Sequence, residues 1–162
     1  VKEDDLRAAT YRMSIVELIG REFTQCREVE RKLKASQAVR EYLLNDPRAA
    51  GGIEHHAQLT PTEALTNEGG LDEVPLGNLL YPLLATEPEL RQMARDLLSS
   101  LNRVAIACLP NESAIYMVAM LEARYIAHVW NDWEHYIIKR RDKGLGRSRI
   151  FVPAEHLVHE VS

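Results

Sequence analysis

The sequence predicts an all-α helical bundle of three to four main helices, with a long Gly/Pro-broken connection and a short C-terminal extension. Three observations carry that expectation. Apolar residues recur every three or four positions through residues 4–45, 87–109 and 112–142, the spacing that gathers side chains on one side of a helix. Period-two alternation, the mark of a half-buried strand, is almost absent. Stop signals at Asp46-Pro47, Pro110 and Gly144 close the three stretches. The 162 residues suit a single all-helical domain, and 46% hydrophobic with 27% charged residues excludes wholesale disorder.

The first stretch has no proline. Leu6, Ala9, Met13, Val16 and Ile19 lead to Phe23, Cys26, Val29 or Leu33, then Val39 and Leu43. Asp4 and Asp5 sit where the unpaired N–H groups of a first turn favour acids. An unbroken rod of this length would reach about 60 Å at 1.5 Å per residue. It must break near Gly20 or Ser36, or project to meet another chain. Its spacing is roughly heptad at the start and then admits Arg27 and Glu30, which disfavours a long coiled coil.

Residues 48–85 change character, punctuated by Gly51-Gly52, Pro61, Gly69-Gly70, Pro75, Gly77 and Pro82. Thr60-Pro61-Thr62-Glu63 reads as a capped helix start, and residues 76–84 as a short apolar helix. Thr86-Glu87-Pro88-Glu89 repeats the capping signature ahead of the cleanest amphipathic stretch. There Leu90, Ala94, Leu97, Leu98, Leu101, Val104, Ala105 and Cys108 fall within about 140° of one another. Asn111 caps the last long helix, whose first half is apolar all round and whose second half has two faces. Beyond Gly144, residues 149–152 read as a short strand and Pro153 as the start of a final helical turn.

The charge is uneven. Residues 1–138 carry 14 basic and 21 acidic side chains, whereas residues 139–162 carry 6 and 3. Lys139, Arg140, Arg141, Lys143, Arg147 and Arg149 form a basic elbow, a candidate for gripping anions such as nucleic-acid phosphates. No zinc finger, RNP-type motif or clear helix-turn-helix accompanies it, so nucleic acid ranks behind protein as a partner.

His128, Asp132 and His135 share one helical side at spacings of four and three, as ligands for a divalent transition metal would. His55-His56 beside Glu54, and His156 with His159, are further candidates with less context. Glu122 falls in the middle of an apolar face and is either paired, with an arginine of the first helix or Arg140, or a general acid/base in an internal pocket. Tyr125, Trp130, Trp133 and Tyr136 concentrate the aromatic residues and read as core or as a partner interface, because Trp and Tyr bury large areas and dominate binding hot spots. There is no GxSxG, P-loop or GxGxxG, and Cys26 and Cys108 lie apart without a CxxC.

Taken together, the sequence favours a non-enzymatic regulatory or assembly module that acts through protein–protein interaction, as a homodimer. Separated thiols fit a reducing compartment, the cytoplasm, and no apolar stretch suits a membrane. The alternatives are a metal- or ligand-binding helical domain built on His128, Asp132 and His135, and a nucleic-acid accessory protein built on the basic elbow.

Overall fold

The structure, a computed structural model, describes residues 2–45, 75–142 and 150–162. The fold is all-α: the described residues form six helices and no strand. They are α1 (Lys2–Ala35), α2 (Gln37–Asn45), α3 (Leu76–Thr86), α4 (Pro88–Cys108), α5 (Glu112–Arg141) and α6 (Val152–Val161). Among them none is long and apolar enough to cross a membrane. The helix start expected at Thr60, the pair His55-His56 and the basic residues Lys143, Arg147 and Arg149 lie outside the described residues.

The first long stretch breaks at Ser36. Its amide still donates to the Leu33 carbonyl and its carbonyl accepts from the Arg40 amide, so a single residue leaves helical geometry. Thr86, expected to cap α4, instead ends α3 and donates its hydroxyl back to the Leu83 carbonyl. Glu87 is the hinge between the two helices, with its amide on the Leu83 carbonyl and its carbonyl accepting from Arg91. At α5 the Asn111 side chain accepts from the Ser113 and Ala114 amides at 2.8 and 3.2 Å, meeting two of the first-turn N–H groups that have no helical partner.

Of the strand expected at residues 149–152, the described residues 150–152 form none. Ile150 and Phe151 make a turn, held by two bonds from the Arg141 guanidinium to the Ile150 carbonyl at 3.0 and 2.8 Å. Phe151 takes a left-handed conformation (φ 57°) and starts α6, where Pro153 is pre-set for a first helical turn. Local β propensity loses here to a tertiary anchor.

The chain divides into two compact units. The first takes Val1–Arg27, Asp96–Trp130 and Phe151–Ser162. Its core gathers Ile15, Ile19, Phe23 and Cys26 of α1, Leu97, Leu98, Leu101 and Val104 of α4, Val118 and Ile126 of α5, and Leu157 of α6. The Cys26 thiol donates to the Leu97 carbonyl, and Arg103 of α4 donates twice to Glu22 at 3.2 and 3.1 Å. Rising numbers on α1 therefore meet falling numbers on α4, so the two run antiparallel. The Asn102 side chain accepts from the Ala154 amide, tying the start of α6 to α4.

The second unit takes Glu28–Arg95 and Asn131–Ile150. Here α3 lies directly on α5 at Gly77, where a Cβ would stand 2.6 Å from the Asp132 carbonyl oxygen and 3.1 Å from the Trp133 ring. Only glycine permits that approach. Leu79, Leu80 and Leu84 of α3 are buried in this unit, as are Leu33, Val39 and Leu43.

Candidate functional site

The N-terminal part of α1 carries two apolar stripes. Ile15, Ile19, Cys26, Val29 and Leu33 form the buried one. Leu6, Ala9, Met13, Val16 and Gly20 form another, centred roughly 140° away around the helix at 100° per residue. Leu6 is 68% exposed and Met13 65%, with Val16 also exposed and Ala9 half-buried. A Cβ at Gly20 would meet nothing within 4 Å. Residues 2–14 contain no buried side chain.

That is physically unusual. A helix of this length gains too little from its own hydrogen bonds to be stable in water and relies on burying an apolar face. The first thirteen residues of α1 bury no face within the described chain. Because α1 and α4 are antiparallel, this end of α1 points the same way as the turn that joins α4 to α5. Near that turn Ile106 and Tyr116 are exposed as well, Tyr116 at 68%. The exposed apolar side chains of the first unit therefore include Ile106 and Tyr116 on either side of that turn, with Met120 and Leu121 farther along α5 beside Arg27.

The stripe has flanking charges at defined positions. With Leu6, Met13 and Gly20 as heptad position a, and Ala9 and Val16 as d, Arg12 takes g and Glu17 takes e. Both are exposed, and among the described residues neither has an ion-pair partner.

Glu122 is part-buried at a bend inside α5, where its backbone leaves helical geometry (φ −139°, ψ 17°). Its carboxylate accepts from Arg27 of α1, the interaction that chiefly raises the guanidinium pKa above its ordinary value. The same guanidinium lies 4.3 Å over the Tyr125 ring. A cleft of about 420 Å³ opens beside the pair, lined by Arg27 and residues 119–125.

The proposed metal stripe is only partly assembled. Carboxylate oxygens of Asp132 and Glu30 come within 4.8 Å in the second unit, whereas His128 belongs to the first. His135 is exposed and does not join them. Both carboxylates have protein partners: Glu30 pairs with Lys34 at 3.3 Å, and Asp132 Oδ1 accepts from the Leu76 amide at 3.5 Å. His156 and His159 are exposed on α6.

Of the two readings of the aromatics, core and interface, burial favours core. Trp130, Trp133 and Tyr136 are buried, Trp133 to 1%, and Tyr125 is part-buried against Phe23. They are core, since the Gly77 approach closes α3 over Trp133 and Tyr136. The described part of the basic elbow is also no single patch. Lys139 lies over the Tyr81 ring, Arg140 lines a cavity, and Arg141 holds the Ile150 carbonyl.

Comparison with protein-family models, curated proteins and solved structures found no match to this chain.

Two features escaped the sequence reading. Glu22 is a buried acid on the core stripe of α1, neutralised by Arg103, with Ser100 also accepting from that arginine. Its place among Ile15, Ile19 and Cys26 at helical spacing was the available signal. The cavity at Arg91 and Arg140 had none, because those residues are 49 positions apart in sequence.

Proposed function

We propose that this chain is a non-enzymatic assembly module that pairs with a second copy of itself through the exposed stripe of α1. The observation that carries this reading is the N-terminal run of α1, helical through residues 2–14 yet burying no side chain, with Leu6 and Met13 open on one face. A second copy is the occupant that the charges favour. In a parallel, in-register pair Arg12 at position g faces Glu17 at position e of the partner helix, and symmetry supplies the pair twice. The apolar layers are then Leu6, Ala9, Met13, Val16 and Gly20, each against its own copy. Two free cysteines buried in the chain are compatible with a reducing compartment, and we assign the module to the cytoplasm.

The experiment is sedimentation velocity on the 18.4 kDa chain from micromolar to hundreds of micromolar. A species of twice that mass, lost in Met13→Glu, is expected. Replacing two facing methionines by like charges costs roughly 3 kcal/mol or more, over 100-fold in affinity. Arg12→Glu weakens pairing, and adding Glu17→Arg restores it. A monomer at every concentration sinks the reading.

A second reading is binding of a divalent transition metal through Glu30 and Asp132, favoured by the approach of those two carboxylates within the second unit. Metal analysis of the purified chain and thermal melts with added zinc or manganese decide it. No bound metal and no change in Tm would remove it.

A further inference from the structure

The second unit contains a small basic cavity that the pairing surface does not use. Its volume is about 150 Å³, and it is lined by Tyr81, Leu84 and Ala85 of α3, Arg91 of α4, and Tyr136 and Arg140 of α5. None of the six is acidic. Among the described residues neither Arg91 nor Arg140 forms an ion pair with a carboxylate. Arg91 Nη1 donates a long bond to the Ala85 carbonyl at 3.4 Å.

The surroundings add positive potential. Arg95 follows Arg91 by one helical turn, and burial keeps the Tyr136 phenol pKa raised against the opposing pull of Arg140, Arg95 and Arg91. Lys139 stands 4.5 Å from the centre of the Tyr81 ring. The Tyr136 ring itself is fixed edge-on by Tyr81 and Trp133, at 5.9 and 5.6 Å between centroids. Two guanidinium forks from different helices thus meet a positioned phenol in one concave site.

We propose that this cavity binds the phosphoryl group of a small phosphate monoester, with Arg91 and Arg140 as the charged donors and Tyr136 as the hydroxyl donor. Guanidinium forks match phosphate oxygens in geometry and remain charged at every physiological pH. A monoester phosphate carries nearly two negative charges at pH 7 and three terminal oxygens, enough to serve donors on two helices. A carboxylate offers two oxygens and one charge. At about 150 Å³ the cavity has room for a phosphoryl group, and its open side leaves the organic part of an ester in reach of solvent. Leu84 and the Tyr81 ring then form the wall for the organic part of the ester.

The test is titration of the full chain with inorganic phosphate and with phenyl phosphate, at ionic strength balanced with sodium chloride, followed by calorimetry and by phosphorus NMR. Saturable binding is expected, tighter for phenyl phosphate, and weaker for acetate. Arg91→Gln and Arg140→Gln should each lower affinity about 10-fold or more, because a hydrogen bond between charged groups is lost. Arg7→Gln, on the exposed start of α1, should leave it unchanged. If Arg140→Gln fails to fold by circular dichroism, Arg140→Lys replaces it, keeping the charge and losing the fork. Absence of saturation by both phosphates, or equal affinity in the wild type and the cavity variants, overturns the proposal.

Discussion

Arg27 of α1 and Glu122 of α5 meet at the bend of α5, with the guanidinium bonded to the carboxylate and stacked over the Tyr125 ring. The bend has no proline or glycine to cause it, since residues 112–141 contain neither. Sharp bends otherwise arise where a side chain or water disturbs the hydrogen-bond ladder. Here the non-helical residue is the one whose side chain is drawn to α1. Arg27 is half exposed, so solvent screens the pair. Arg27→Ala and Glu122→Gln should each cost about 0.5–1.5 kcal/mol, with a double-mutant coupling of at most ~1 kcal/mol that shrinks in high salt. Urea titrations of the four proteins measure it. Strictly additive effects would show that the contact is incidental.

Both cysteines should be silent in the folded chain. Cys26 and Cys108 are fully buried, and burial alone pushes the Cys108 thiol up from its ordinary value. The thiolate is the reactive form, so both depletion of thiolate and lack of access suppress reaction. Labelling with a disulfide reagent at pH 8 should be slow in buffer and complete for two thiols in denaturant. Rapid labelling of the native chain would contradict this packing.

Periodicity located the helices well and said less about which side of each is covered. The bounds of α4 and α5 follow from Pro88, Pro110 and the Asn111 cap, all short-range signals. Leu6, Met13 and Val16 read as one stripe with Ile19 and Phe23, because a helical pattern cannot distinguish a buried stripe from an exposed one beside it. The structure separates them: Ile15, Ile19 and Cys26 go inward while Leu6 and Met13 stay out. Trp133 and Tyr136 read as either core or interface for the same reason, since their cover is α3, brought in through Gly77. Long-range pairs such as Glu22–Arg103 and Arg27–Glu122 depend on tertiary packing, which no local pattern encodes.

The Tyr136 phenol should titrate above the usual tyrosine range. Burial raises its pKa from 10.0, Arg140, Arg95 and Arg91 pull it back in that order, and Tyr81 pushes it up. A folded-state pKa above the unfolded one means the neutral phenol is favoured by folding. That contribution is fully present below about pH 10, and it is lost as pH rises through the higher folded value. Absorbance titration near 295 nm, comparing wild type with Tyr136→Phe, should show one tyrosine missing from the late part of the curve. If the difference curve instead falls at or below pH 10, the net effect of the three arginines outweighs burial.

The same substitution at two glycines should have opposite signs. At Gly77 a methyl group would stand 2.6 Å from the Asp132 carbonyl oxygen, which belongs to the backbone of α5 and cannot rotate away. The helices must part, and Gly77→Ala should cost about 3 kcal/mol, at the upper end of overpacking penalties. At Gly20 a Cβ meets nothing within 4 Å, and the residue sits inside α1 at an exposed position. Gly20→Ala should therefore stabilise the helix by up to ~1 kcal/mol, the difference in helix propensity. Thermal melts at low protein concentration, where any pairing is suppressed, compare the two directly. A large loss at Gly77 with a gain at Gly20 identifies the contact between α3 and α5 as the tight joint of the second unit. Equal effects at the two positions would mean that this approach is looser than its geometry implies.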